Sequence, residues 1–201
     1  MSVFGGNPQD RVAVFIDGPN LYGAARSAGF DIDFKNFNAL IRKEGRLVRS
    51  YYYTALADTD DFNSVKPLVD WLGYNGFSVV TKPLKEHTDN EGRKRVKGNM
   101  NVEMTVNALE IAANVDHMIF FSGDGELAPL IEAVQRKGVR VTVVSSKDGT
   151  QPMISDELRR QADNFIDVKT LETELRRDNS ARGGSDRSLT VERRPITRRP
   201  S

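Results

Sequence analysis

The sequence predicts an α/β fold in which a mainly parallel sheet is flanked by helices in three layers. Along most of the chain, apolar segments of strand character alternate with segments of helical spacing, a pattern typical of βαβ units. In addition, two apolar runs end in a glycine-flanked aspartate, Asp17 and Asp124. Ligands of such sheets bind beyond the carboxyl ends of the strands. We therefore expect both carboxylates to lie in one cleft.

In the first half of the chain, strands are predicted where apolar and aromatic residues run together, and helices where apolar residues recur every three or four positions. Glycines at 29, 45 and 76 supply the helix stops. The predicted strands cover residues 11–17, 47–55 and 77–82, and the predicted helices cover about 21–28, 34–43 and 61–74.

In the second half, residues 83–98 break the alternation with a polar, turn-rich segment. In the helix that follows, Val102, Val106, Leu109 and Ala113 form the apolar stripe, so Glu103 is expected to face solvent. The remaining predicted strands cover 116–121, 139–145 and 164–168, and the helices cover 101–114, 127–137, 156–162 and 171–177.

Composition predicts one domain, residues 10–177, and a disordered basic tail, residues 178–201, in which Ser, Gly, Arg and Pro predominate. The chain has 201 residues and no cysteine. This excludes disulfides and thiolate zinc sites, and it fits a reducing cytoplasm. The apolar runs are too short to span a membrane. From Arg176 onward eight Arg face three acidic residues, a net of +5, so the rest of the +1 chain is acidic, at −4.

The paired aspartates suit a divalent cation such as Mg²⁺, which binds a few carboxylate oxygens and keeps positions for water and phosphate. The alternative is that each Asp merely caps the next helix. Glu126 is a second open case, as either a metal ligand or water-orienting base, or a negative charge that stabilises a helix start. Asn20 and Ser122 lie beside the aspartates and can hydrogen-bond them or a phosphate, or serve only the structure.

Three ordered motifs, Phe15–Tyr22, Lys97–Met100 and Ser122–Gly125, resemble the signatures of the NYN domain family, the LabA-like branch of the PIN-like nuclease superfamily. The resemblance covers roughly residues 10–170. It implies a Rossmann-like (PIN-like) fold, a metal-dependent ribonuclease activity and Mg²⁺ or Mn²⁺ as cofactor. It also implies that the helix after Gly98 supplies further metal ligands.

The chain departs from that family pattern at three positions. Asn101 and Asn107 stand where the family usually has Asp, and Glu126 stands where Asp is usual. An amide offers a carbonyl oxygen but no charge. Losing two carboxylates costs a Mg²⁺ site orders of magnitude in affinity, at about 1.4 kcal/mol per decade. Two hypotheses follow: an impaired ribonuclease that acts at Asp17, Asp124, Glu126, Asn101 and Asn107, or an inactive domain that regulates by binding RNA or a protein partner.

The interrupting segment is the predicted contact surface for single-stranded RNA. We predict an extended excursion or hairpin whose return arm brings residues 93–97 toward the cleft, where basic side chains would contact phosphates. Lys97 also belongs to the family motif. The alternative is a solvated loop, because Glu86, Asp89 and Glu91 offset half of the charge. The basic residues of the segment are Lys82, Lys85, Arg93, Lys94, Arg95 and Lys97.

Two other classes of enzyme do not fit the first turn, Asp17-Gly18-Pro19-Asn20. A dinucleotide-binding enzyme requires the G-x-G-x-x-G glycines there. A phosphatase of the haloacid dehalogenase type resembles this start but requires a second Asp where this chain has Pro19.

Overall fold

The structure, a computed structural model, describes residues 2–56, 65–88, 94–97, 99–148 and 152–177, with side chains described outside 85–88 and 94–97. The predicted tail at 178–201 and the predicted helix start at residue 61 lie outside these ranges. Within them, no helix is long and apolar enough to cross a bilayer.

The described strands are β1 Arg11–Asp17, β2 Arg46–Leu56, β3 Phe77–Pro83, β4 Lys85–Thr88, β5 Lys94–Lys97, β6 His117–Phe121, β7 Arg140–Ser145 and β8 Asn164–Asp167. Six of them form one parallel sheet in the order β3-β2-β1-β6-β7-β8. This sheet confirms the predicted α/β fold. The other two, β4 and β5, pair antiparallel as a hairpin.

Helices cover both faces of the sheet. Helix α1 begins at Gly18, three residues before the predicted start, because Asp17 caps it and Pro19 fits its first turn. The helices are α1 Gly18–Ala28, α2 Phe34–Ile41, α3 Lys66–Tyr74, α4 Asn101–Ile111, α5 Ala128–Gln135, α6 Asp156–Gln161 and α7 Glu172–Leu175. Short 3₁₀ turns cover Ala112–Asn114, Gly125–Leu127 and Val168–Leu171.

Two apolar cores, one on each face, hold the layers together. On one face Ile16 and Phe121 pack with Leu21 of α1 and Phe37 of α2. On the other, Phe15 and Phe120 stack with ring centroids 4.7 Å apart, and they pack with Met104 of α4. Burying one such side chain stabilises the fold by about 1.5–3 kcal/mol. The central strands are therefore fixed on both faces, so their carboxyl ends are rigid supports.

The apolar stripe predicted for α4 is wrong. Val102 and Val106 are 72% and 49% exposed, whereas Met104 and Ala108 are fully buried. Compared with the prediction, α4 is rotated about its axis. This orientation allows Asn101, in its first turn, to donate a hydrogen bond to Asp124, and the small Ala108 lets the helix lie close to the sheet. Leu109 (38% exposed) and Ala113 are likewise exposed.

The prediction that Glu103 faces solvent holds only in part. Its side chain is 33% exposed and accepts hydrogen bonds from Lys82 Nζ at 3.0 and 3.1 Å. This ion pair links α4 to the end of β3. A helical wheel does not show it, because the partner lies 21 positions earlier in the chain.

The strand order places a topological switch point between β1 and β6. From β1 the chain proceeds to β2 on one side, and from β6 to β7 on the other. The loops after β1 and β6 therefore leave the sheet in opposite directions and open a crevice, which is where open α/β sheets bind ligands. Asp17 ends β1, and Asp124 follows β6 by three residues.

Candidate functional site

Asp17 both caps a helix and reaches the neighbouring turn. Its Oδ1 accepts a hydrogen bond from the backbone N–H of Asn20 at 3.2 Å, and its Oδ2 accepts one from the Ser122 hydroxyl at 3.4 Å. The capping interpretation and the site interpretation thus apply to the same carboxylate. One oxygen holds α1, and the other faces the β6 turn.

Ser122 and Asn20 join the two turns of the crevice. The buried Ser122 Oγ accepts from the backbone N–H of Asp124 at 3.3 Å while it donates to Asp17. The Asn20 Oδ1 accepts from the backbone N–H of Gly123 at 2.9 Å. The bond from Ser122 to Asp17 is a predicted contact, whereas Asn20 bonds the Gly123 main chain rather than Asp17; a functional role for either residue stays a prediction.

The β6 turn also requires a residue without a side chain at position 123. A Cβ there would lie 2.1 Å from the Met153 carbonyl oxygen and 2.6 Å from Ser145 Oγ. Real Cβ contacts are never that short, and the obstacle includes main chain. Glycine therefore lets the 152–155 segment close over the turn that carries Asp124.

We expect Gly123→Ala to lower the free energy of unfolding by about 1–3 kcal/mol or more, as overpacking does. Urea unfolding measures this. Gly73→Ala in α3 is the matched control, since a Cβ there meets nothing within 4 Å and alanine favours helix by up to about 1 kcal/mol. Equal stability of Gly123→Ala and wild type would contradict the close approach.

Asn101 brings the start of α4 to the carboxylates. Its Nδ2 donates to Asp124 Oδ2 at 2.8 Å and to Glu126 Oε2 at 3.0 Å. Asn99 Nδ2 donates to the same Glu126 oxygen at 2.9 Å, and Asn99 Oδ1 accepts from the backbone N–H of Asn101 at 2.7 Å. One amide group thus bridges two carboxylates and offsets part of their repulsion. Sequence reasoning missed Asn99, although an Asn two residues before a helix start signals a local turn.

Asn107 lies elsewhere. Its Nδ2 donates to the hydroxyl of Tyr53 at 3.0 Å, and that tyrosine is fully buried. A buried hydroxyl needs a partner, so this contact gives Asn107 a structural task. The structure shows no hydrogen bond from Asn107 to Asp17, Asp124 or Glu126, and its predicted catalytic role stays a prediction.

Burial raises the pKa of Asp17, and the charge of Asp124 raises it further, while the Asn20 N–H and the Ser122 hydroxyl act in the opposite direction. Burial and the charge of Asp17 together raise the pKa of Tyr52 to about 12. Burial is the main cause of both shifts, and each is increased by the negative charge of a neighbouring carboxylate at the end of β1. A cation bound there would relieve it.

The side-chain oxygens at the site are suitable ligands for a hard divalent cation, but few of them carry a negative charge. Carboxylate, amide and hydroxyl oxygens are ligands for Mg²⁺ or Mn²⁺. In the described part of the chain, however, no three His, Cys, Asp or Glu side chains form a group that could hold a metal. The set therefore suits a cation that keeps several waters, and the metal role of Glu126 stays a prediction.

Basic residues border the start of α4. Hairpin β4–β5 pairs Lys85 with Lys97 and His87 with Arg95, which confirms the predicted excursion, and its return arm ends two residues before Asn99. Lys94 is also on this arm, whereas Arg93 lies outside the described residues. Lys82 is partly neutralised by Glu103.

A cavity of about 390 Å³ opens at the other end of the sheet, bordered by Asp116, Arg140 and Asp163. Hydrogen bonds from Arg11 lower the pKa of Asp116 to about 2, and Asp163 accepts from the Val141 N–H. These acidic groups hold strand starts in place. The cavity shares no residue with the switch-point site.

The fold and the site define an α/β domain with two aspartates at the switch point of its parallel sheet, and comparison with known proteins identifies the family. The NYN domain model matches residues 11–172. The chain belongs to the NYN domain family, which confirms the predicted resemblance.

Similar proteins come from bacteria and archaea. The low amplitude and bright protein LabA of Synechococcus elongatus is 34% identical over 166 residues, 80% of this chain and 85% of LabA. An uncharacterized protein of Methanocaldococcus jannaschii is 25% identical, over 92% of this chain and 65% of that protein. The crystal structure of a protein of unknown function from Vibrio parahaemolyticus matches with a TM-score of 0.66 and 27% identity, over 81% of this chain and 95% of that one.

Proposed function

We propose that this protein is a metal-dependent ribonuclease that hydrolyses phosphodiester bonds of single-stranded RNA. One observation carries the proposal: Asp17 and Asp124 share the switch-point crevice and are joined through Ser122. Membership of the NYN family supports it. Asn101 donates hydrogen bonds to both Asp124 and Glu126 and so holds these two carboxylates together.

Asp17 and Asp124 are the residues that would hold Mg²⁺ or Mn²⁺, with Asn101 and Glu126 beside them. A bound cation would neutralise charge on the phosphate and lower the pKa of a coordinated water. Asn101 can present its carbonyl oxygen to a cation if its amide rotates away from Asp124.

The chain's own residues supply positioning and proton transfer. Asn20 fixes the β6 turn by its bond to Gly123, so it sets the separation of the two aspartates. Glu126 is exposed, and among the described residues its Oε2 is bonded to Asn99 and Asn101 while its Oε1 has no partner. That second oxygen would accept a proton from the attacking water.

RNA would lie along the basic edge of the crevice. Lys94, Arg95 and Lys97 belong to the hairpin arm that leads into Asn99, and they would contact phosphates together with Lys82 and Arg93. Such contacts position a strand without reading its sequence. The arginines that follow Arg177 would add affinity of the same kind.

RNA binding is therefore expected to weaken steeply with salt, with a slope of about −0.7 per phosphate contact of a single strand. Removing residues 178–201 should flatten the slope, and so should changing Arg93, Lys94 and Lys97 to Ala. Fluorescence anisotropy of a labelled oligoribonucleotide measures it. Binding that is independent of salt would exclude the phosphate contacts.

The second candidate is an inactive domain that regulates by binding RNA or a protein partner. It is favoured by the uncharged Asn101 between Asp124 and Glu126, and by the lack of a three-carboxylate group among the residues described. The two candidates share the fold and the basic edge. They differ only in whether the bound strand is cut.

Incubating single-stranded RNA with wild type in Mg²⁺, in Mn²⁺ and in EDTA separates them. The ribonuclease proposal predicts shortened products in one or both metals and intact RNA in EDTA. Intact RNA under all three conditions, with binding retained, would establish the regulator instead.

A further inference from the structure

The outward face of α1 carries an aromatic ring that the proposed chemistry does not use. Tyr22 is 55% exposed, and the Arg26 guanidinium carbon lies 5.6 Å from the centre of its ring. Pro19 lies on the same face, three positions before Tyr22, and is also exposed. An exposed tyrosine ring does not contribute the stabilisation that burial of its apolar surface would give. This face is therefore a candidate binding surface.

Tyr22 lies close to the carboxylates along the chain and the helix. Asp17 caps α1, and five residues at 1.5 Å rise place Tyr22 about 7.5 Å further along the axis. Asn20 points toward Gly123, and Tyr22 lies on nearly the opposite side of α1, rotated about 200° from Asn20. To reach the ring, a strand that leaves the crevice must cross the first turn of α1 over the exposed Pro19.

Positive charge continues beyond the ring. Arg26, Arg176 and Arg177 border a cavity of about 170 Å³ at the end of α1, which Asp31 also lines. Arg176 pairs with Glu172 at 3.0 Å. In the described ranges, Arg26 and Arg177 pair with no carboxylate. Their guanidinium groups keep N–H donors free for an anion.

An aromatic ring beside an arginine, with further arginines beyond it, is a combination that binds single-stranded nucleic acid, because bases stack on the ring and guanidinium groups contact phosphates. We propose that Tyr22 is a stacking platform for a nucleobase of the bound strand and that Arg26 contacts a neighbouring phosphate. The inference rests on the proposed function and names the substrate form it requires: a single strand whose base is free to unstack. Arg26 lies about 14 Å along the axis from Asp17, a span of at most about four stacked nucleotides.

The test measures binding of fluorescein-labelled oligouridine by the full chain carrying Asp17→Asn, so that no cleavage interferes. Tyr22→Ala is expected to weaken binding by about five- to a hundredfold, the range that stacking of one base contributes. Tyr22→Phe keeps the ring and should keep the affinity. Tyr74→Ala is the matched control, because Tyr74 is 92% exposed at the end of α3. This variant should bind RNA like the parent.

Two further measurements separate stacking from charge. Arg26→Ala should reduce the salt slope by about 0.7, whereas Tyr22→Ala should leave the slope unchanged. With Tyr22 intact, an abasic residue moved along the oligomer should weaken binding at one position, and Tyr22→Ala should abolish that dependence. The part of the scan that is made with Tyr22 intact does not depend on the variant, so it remains valid if Tyr22→Ala folds poorly.

The outcomes distinguish this inference from the function beneath it. The platform is overturned if the parent binds RNA, Tyr22→Ala binds it as tightly as Tyr74→Ala does, and no position of the abasic residue weakens binding. The ribonuclease proposal would remain intact. A parent that binds no RNA at low salt would overturn the proposed function, and the platform with it.

Discussion

Asn101→Asp is expected to raise the affinity for Mg²⁺ at least tenfold and to increase cleavage in parallel. The new carboxylate would replace an amide that lies 2.8 Å from Asp124 and 3.0 Å from Glu126. Two opposite unit charges about 4 Å apart attract by about 4 kcal/mol at an effective dielectric of about 20. Solvent reduces this, but about 1.4 kcal/mol suffices for a tenfold gain. Calorimetric Mg²⁺ titration measures the affinity.

Asn107→Asp is the matched control for that substitution. It makes the same chemical change on the same helix, but its side chain contacts the Tyr53 hydroxyl. The structure therefore predicts that the gain comes from Asn101→Asp alone. If both variants gain the same affinity for Mg²⁺, both positions belong to the metal site, as the family pattern alone suggests. No gain from either would remove Asn101 from the metal site.

Asp17→Asn is expected to lower the cleavage rate by about a thousandfold or more, because losing one of two charged ligands costs several kcal/mol at about 1.4 kcal/mol per decade. RNA binding should persist, since the basic hairpin is unchanged and one negative charge is removed from the path of the phosphate. Asn is as good an N-cap as Asp, so α1 should keep its start. Cleavage by this variant at the wild-type rate would exclude Asp17 from catalysis.

The same variant should be more stable than wild type when metal is absent. Burial raises the folded-state pKa of Asp17 above 3.8, so its ionisation opposes folding as the pH rises through that raised value. In EDTA at pH 7, Asp17→Asn should therefore have the higher Tm, and the difference should shrink as the pH falls toward 4. Added Mg²⁺ should stabilise wild type and leave the variant unchanged. A lower Tm for the variant in EDTA would contradict the cost of burying Asp17.

The elements that could be predicted from sequence are those set by local patterns. Strands β1 and β6 are continuous apolar runs because parallel strands are buried on both faces, so the aspartate at the end of β1 and the one in the turn after β6 could be located from the sequence. The placement of Asp17 next to the β6 turn then follows from the carboxyl-edge rule for parallel sheets. Asn20 and Ser122 could be predicted because each lies within three residues of an aspartate in the chain.

What could not be predicted depends on partners distant in sequence. The inward face of α4 is set by Met104, by Ala108 and by the bond from Asn101 to Asp124, so apolar spacing alone selects the wrong stripe. Glu103 pairs with Lys82, and Asn107 with Tyr53. Neither pairing has a local signal. The Tyr22–Arg26 contact is at helical spacing, yet its meaning depends on the exposure of the ring.

The most direct test of the central claim, that Asp17 and Asp124 together bind a divalent cation, is a Mn²⁺ titration of four proteins followed by electron paramagnetic resonance. We predict that wild type binds Mn²⁺ and that Asp17→Asn and Asp124→Asn each lose most of that binding. Asn107→Asp serves as a folded control that should bind like wild type. If both aspartate variants bind Mn²⁺ as wild type does, or wild type binds none, the switch-point crevice is not a metal site and the ribonuclease proposal fails.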